Sequence, residues 1–177
     1  EIRKSLVEYD DVMNRQREII YEMRNDALNG KHEYKSWKED INTDLDNFFE
    51  NLKLNSDPKK FTNDAKQLLV IDDNDFESDS PIKDMTSKRL EIFEDKYGEE
   101  KLSSSISTLL MRSIDLLWVE HLTTMDNMRQ GIGLQAAGQR DPLVQYKKTG
   151  FELFENLLSR INRDVSLNLL PFTSSIN

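Results

Sequence analysis

The sequence predicts an all-α chain in which one long helix lies along an antiparallel two-helix hairpin, with a small helical subdomain inserted between them. Three observations predict it. Apolar residues recur at helical spacing over both ends of the chain, and no strand-like alternation of any length appears. Four prolines and six glycines among 177 residues leave long stretches without a helix breaker.

The first element is the cleanest. Ile2, Leu6, Tyr9, Met13, Gln16, Ile20, Met23 and Ala27 follow one another in steps of four and three, the repeat of a helix lying along another helix. Gln16 is a polar slot in that seam, and Val12 and Ile19 widen the stripe toward a second neighbour. Asn29-Gly30 is a stop signal, so the first helix is placed at residues 2–29. Trp37, Ile41, Leu45, Phe48, Phe49 and Leu52 define a second helix, broken at "NSDP". Pro58 fits the first turn of a short third helix through Leu69. Residues 72–81, "DDNDFESDSP", form a loop, and a fourth helix runs from about Asp84 to Tyr97. These middle pieces are short, acidic and loosely patterned, and they read as an appended helical subdomain.

From Glu99 the periodicity returns. Ile106, Leu109, Leu110, Ile114, Leu117, Trp118, His121, Leu122, Met125, Met128 and Ile132 make a wide apolar stripe. In "MDNMRQGIGLQAAGQRDP", Gly131, Gly133 and Gly138 interrupt the helix, and Asp141-Pro142 opens another as N-cap and first turn. Leu143, Tyr146, Leu153, Phe154, Leu157, Leu158, Ile161 and Val165 continue the stripe until Leu170-Pro171, after which "FTSSIN" reads as a frayed tail. Two long helices joined by such a loop return antiparallel.

Charge narrows the partners. The net charge is −9, and residues 31–100 hold 19 of the 33 acidic side chains against 11 of the 24 basic ones. No basic stripe of the kind that neutralises phosphates is present, which argues against nucleic acid. The absence of cysteine excludes a disulfide framework, a thiolate zinc site and a cysteine nucleophile. No apolar run approaches the roughly 18 residues that span a bilayer. The chain begins at Glu1 inside a periodic pattern, which reads as a piece of a longer protein.

No catalytic site assembles. His121 shares a face with Trp118 and Met125 and reads as a packed, hydrogen-bonded core histidine. His32, beside the Gly30 break, reads as solvent-facing. Asp73, Asp75, Glu77 and Asp79 superficially resemble a calcium loop, but Ser78 stands where Gly is needed and Asp84 where Glu is needed. Gly131-Ile132-Gly133 has neither a preceding strand nor a following Lys-Ser or Lys-Thr, so no phosphate loop is predicted. Tyr9, Asp10 and Asp11 have two readings, a solvated face or a dock for another domain. The small-residue tip also has two. It is a long hairpin turn, or a loop whose bare backbone approaches another chain closely, with Gln135, Gln139 and Arg140 as polar contacts.

"LVEYDDVMNRQREIIYEMRN" at residues 6–25, "RSIDLLWVEHLTTMDNMRQGIGL" from residue 112 and "QRDPLVQYKKTGFELFENLL" through residue 158 closely resemble the C-terminal half of the SecA family, ATPase motors of bacterial preprotein translocation. Between residues 31 and 100 the similarity is one of position and length. The resemblance implies that residues 1–30 and 101–170 are the helical scaffold, the latter as a two-helix finger, that residues 31–100 are the helical wing, and that 171–177 are a tail. It implies that Gly133, Leu134, Gln135, Ala136, Ala137, Gly138, Gln139 and Arg140 contact unfolded preproteins at the mouth of the SecYEG channel. Tyr9, Asp10 and Asp11 would dock the chain's own motor domains. ATP and Mg would belong to those domains, leaving this segment without a cofactor, a metal or an enzymatic activity of its own. The resemblance further implies a cytoplasmic protein peripherally associated with the inner face of the membrane. Where family members often carry a tip tyrosine, this chain has Ala137. Self-association through uncovered apolar residues such as Val12 and Ile19 is a further expectation. The alternative function is a free-standing helical adaptor without a motor.

Overall fold

A computed structural model describes residues 2–71, 82–135 and 141–176, with side chains over 7–71, 84–132 and 141–176. The described residues form α1 (Ile2–Leu28), α2 (Tyr34–Asn55), α3 (Pro58–Leu69), α4 (Ile82–Tyr97), α5 (Glu99–Gln135) and α6 (Pro142–Ser175), with no strand among them. The acidic stretch 72–81, with its superficial calcium pattern, and tip residues 136–140 lie outside the described residues.

The helix boundaries follow from local chemistry. Past α1, Gly30 takes a left-handed φ of +66°. Its N–H donates to the Ala27 carbonyl at 3.1 Å and that of Lys31 to Asp26 at 3.0 Å, which closes the helix end with two paired carbonyls. The Asp57 carboxylate accepts from the N–H groups of Lys59 and Lys60, both at 3.0 Å, at the start of α3. Asp141 does the same for α6, accepting from Leu143 N–H at 2.9 Å. Gly98, with φ +77°, separates α4 from α5.

The most extensive helix contact is between α5 and α6, and α1 lies against both. The arms are antiparallel. Lys101 near the start of α5 donates to the Ile176 carbonyl at 2.7 Å, Ser113 bonds Asp164, and Glu120 pairs with Arg160. The middle helices are set into the root of this hairpin. Tyr34, Ile41, Leu45 and Phe49 of α2 and Leu90 and Phe93 of α4 share one core with Ile20 and Ala27 of α1, Leu102 to Leu110 of α5 and Ile161 to Leu170 of α6. Each of the larger of these side chains, fully buried, is worth roughly 1.5–3 kcal/mol. Polar ties surround that core. Ser166 donates to Asp44 at 2.8 Å, Lys38 meets Glu94 at 2.7 Å, and Arg89 donates to the Leu69 carbonyl at 2.6 Å and to that of Val70.

Three local expectations are corrected. The glycines at 131 and 133 do not interrupt α5, which continues to Gln135. Each helical glycine costs about 1 kcal/mol against alanine, and burial of Ile132 between them against Met125 and Tyr146 offsets it. Nor does Pro171 end α6, which runs on to Ser175. Proline removes one backbone donor, but it stands in the penultimate turn, flanked by buried Leu169, Leu170 and Thr173. There the hydroxyls of Ser174 and Ser175 donate to the carbonyls of Pro171 and Phe172. Finally, His32 is half-buried rather than solvent-facing. Its ring meets Trp37 edge-on at 5.9 Å, and its Nε2 is buried without a hydrogen-bond partner.

Candidate interaction site on the hairpin

The residues singled out in the sequence fall into three places. The tip residues from 136 to 140 are outside the described residues, whereas Gly133 to Gln135 belong to the last turn of α5.

Tyr9, Asp10 and Asp11 do not form one cluster, because successive helical residues point about 100° apart. Tyr9 is half-buried, its ring edge-on to Tyr146 of α6 at 4.8 Å. Arg129 of α5 lies over the Tyr9 ring at 5.4 Å and donates to Asp10 at 3.2 Å. Two of the three thus bind α1 to both arms of the hairpin. Burial raises the Tyr146 hydroxyl above the ordinary tyrosine value, opposed by the nearby Arg129 charge. Asp11 is exposed on the other flank, where it lines an open groove with Glu8, Val12, Arg15 and Lys147.

The third place lies about two turns farther along α1. His121 of α5 is buried, stacked on Trp118 at 5.4 Å and against Phe154 at 5.9 Å. It is the packed core histidine that the sequence suggests. Its partner is Gln16, the polar slot of the α1 seam. The Gln16 Nε2 donates to the Gly150 carbonyl of α6 at 3.0 Å, and its Oε1 lies 2.9 Å from His121 Nε2. With the amide so assigned, the imidazole carries its proton on Nε2 and donates to Gln16. Burial lowers the His121 pKa, which keeps the ring neutral at pH 7. Breaking such a buried pair from one side costs about 1–3 kcal/mol, because the group left behind has no water to turn to.

Gly150 completes the junction with its carbonyl and is not among the residues the sequence points to. A Cβ there would lie 2.9 Å from Met125 Cε and 3.6 Å from Val12 Cγ1. The terminal methyl of Met125 on α5 fills that position, and Val12 of α1 stands at ordinary contact distance from it. The signal was present as a glycine inside the apolar stripe of α6, in "KTGF".

Exposed ion pairs flank this junction. Arg24 meets Asp115 at 2.9 Å and Arg160 grips Glu120 with two nitrogens at 3.0 and 2.9 Å. As α1 runs from Asp10 through Gln16 to Arg24, its α5 partners run back from Arg129 through His121 to Asp115. The long helix is antiparallel to α5 and tied to it at three levels. Among the described residues, no helix is long and apolar enough to cross a membrane.

A family model described as the SecA Wing and Scaffold domain matches residues 1–173. The chain belongs to this SecA family. The match runs through the middle helices, where the sequence itself resembled the family only in position and length. Relatives include the protein translocase subunit SecA of Syntrophobacter fumaroxidans, 37% identical over 92% of this chain. Those of Pelagibacter ubique and Halothermothrix orenii are 35% and 34% identical over 93% and 96% of it. The chain spans about a fifth of the length of these SecA relatives, 21–22%.

Proposed function

We propose that this chain is the force-transmitting part of a SecA-type protein translocase subunit, passing motion from ATP-driven motor domains to a translocating polypeptide. In this reading α1 and the α5–α6 hairpin are the scaffold and finger, and α2 to α4 are the wing. The motor domains hold ATP and Mg and dock along α1 on the flank of Asp11, since Tyr9 and Asp10 are engaged with the hairpin. The finger tip, residues 133–140, meets unfolded preproteins at the SecYEG channel, with the subunit held peripherally at the inner face of the membrane. The segment supplies positioning rather than catalysis.

The observation that carries this reading is the attachment of α1 to both arms. A helix bonded to α5 through His121 and Arg129, and to α6 through Gly150, would move the two arms together. A long pair of helices packed along their length would resist bending. The exposed groove beside Asp11 and the exposed Ile19 leave part of α1 open to further contacts, whether motor domains or a second copy. Ala137 in place of a tip aromatic points to a substrate contact made by backbone and glutamine groups.

The test is crosslinking from each of positions 135–140 to a preprotein stalled in transit, in the full-length subunit that carries this segment. Crosslinks at several of these positions are expected, and absence at all of them contradicts the reading. Within the same subunit, Ala137→Tyr is expected to fold and to keep transport within about threefold of the parent, on the order of 0.6 kcal/mol. Complete loss of transport would contradict a tip that accepts either residue.

A further inference from the structure

We infer that the Gln16–His121–Gly150 junction is a register pin, fixing the axial position of α1 on both arms of the hairpin at once. Among the described side chains of α1, Gln16 is the polar one that is buried. Its amide spends its donor on α6 and its acceptor on α5. Beyond Gln16, the described α1 seam is Tyr9 and Val12 toward the tip and Met13, Ile20, Met23 and Ala27 toward the root, packed on aliphatic and aromatic groups. Apolar contacts are non-directional, so a seam of this kind re-forms after a slide of one turn. The polar junction does not. One turn either way, the Gln16 amide would face Leu117 or Met125 on α5 and Tyr146 or Phe154 on α6, where neither the imidazole nor the open Gly150 carbonyl is available.

The flanking ion pairs cannot substitute for it. Arg24–Asp115 and Arg129–Asp10 are largely exposed, and long, hydrated side chains follow a displaced partner. The buried pair is short, enclosed and specific for one alignment, as a polar residue in an apolar helix seam is in coiled coils. The terminal methyl of Met125 fills the space beside Gly150, with Val12 in ordinary contact, so the junction is enclosed by apolar groups. Gln16 and His121 are thus positioning residues. The consequence for transport rests on the force-transmission reading above: a pinned helix passes axial displacement to the tip, whereas an unpinned one slips.

The test separates register from stability. Since the chain has no cysteine, spin labels at Glu18→Cys on α1 and Asn168→Cys on α6 are unambiguous. The second site lies roughly 24 Å farther along the helix direction at 1.5 Å per residue. In the otherwise unchanged chain a single narrow distance is expected. Gln16→Met is expected to lower the melting temperature. Gln16→Met/His121→Phe, which leaves neither partner unpaired, is expected to recover most of that loss while showing a second distance displaced by about 5.4 Å, one helical turn. A single unshifted distance in the folded double variant would overturn the inference. In the full-length subunit the double variant is expected to move roughly threefold or more less preprotein per nucleotide hydrolysed, about 0.6 kcal/mol. A shifted register with unchanged transport would leave the pin standing and sink the force-transmission reading instead.

Discussion

The two ends of the hairpin are built differently. Its root, where α2, α3 and α4 pack onto α5 and α6, buries a continuous core of large side chains from Tyr34 and Phe49 to Leu169. Toward the tip, the separate cluster holds Met125, Ile132 and Tyr146 as buried residues, with Tyr9, Val12, Met13, Met128 and Leu153 partly buried around them. There, among the described residues, α1 is the remaining neighbour, and it contributes directional ties as well as area: Gln16 to His121 and Gly150, Asp10 to Arg129, and Tyr9 edge-on to Tyr146. The root is stable because it is thick. The outer part keeps its shape because a third helix is bonded to it, which makes α1 the natural place from which to move it.

The largest expected effect comes from deleting matched side chains in the two regions. Ile106→Ala in the root is expected to cost about 4 kcal/mol and Ile132→Ala in the outer cluster about 2 kcal/mol, since the thinner region relaxes more readily around a cavity. Urea denaturation measures both, and equal costs would remove the contrast. Next, Gly150→Ala is expected to change stability by under about 1 kcal/mol, because the better helix propensity of alanine offsets the displacement of the Met125 methyl that its own methyl requires. Combining it with Met125→Val, which removes the methyl it meets, is expected to cost less than the two changes summed, and simple additivity would show that the close approach is not what matters.

A smaller effect should appear with pH. The native ring of His121 has a lowered pKa because it is buried, so the unfolded chain takes up the proton first. Stability is therefore present above the ordinary histidine value and falls as pH drops from about 6.5 toward the lower native value. In the Gln16→Met/His121→Phe background this component should vanish, leaving a flatter stability profile between pH 7 and 5. An identical slope would assign the acid sensitivity to other groups. The smallest effect belongs to the rim. Arg160→Ala removes a two-point contact with Glu120, but both side chains are about half exposed, 46% and 55%. Its expected cost is under about 1 kcal/mol, reduced further by salt.

Much of this contrast is written locally in the sequence. The three-four spacing of Met13, Gln16, Ile20 and Met23 marks a helix with a polar slot, and His121 among Trp118 and Met125 marks a buried imidazole. Asp57-Pro58 and Asp141-Pro142 mark two helix starts. Less legible is what depends on partners distant in the chain. Nothing near Asp44 announces Ser166, and nothing in the acidic middle announces that Ile41, Leu45 and Phe49 fill the root of the hairpin. Gly131, Gly133 and Pro171 illustrate the same limit from the other side. Each is a genuine local breaker, overruled because buried neighbours hold the helix through it. Gly150 is legible as an anomaly but not as a contact, since its meaning lies in Val12 and Met125. The contrast between Asp10 and Asp11 needs the placement of α1 on α5, which helical periodicity alone leaves free to rotate.

Native-state hydrogen exchange on the Gln16→Met chain tests the dependence of the outer hairpin on α1 most directly. The amides around Met125 to Ile132 and Tyr146 to Gly150 are expected to lose protection, while those around Ile106 to Ile114 and Ile161 to Leu169 keep theirs. Uniform loss across both regions, or none in the outer one, would contradict a hairpin whose far end is held in shape by the long helix.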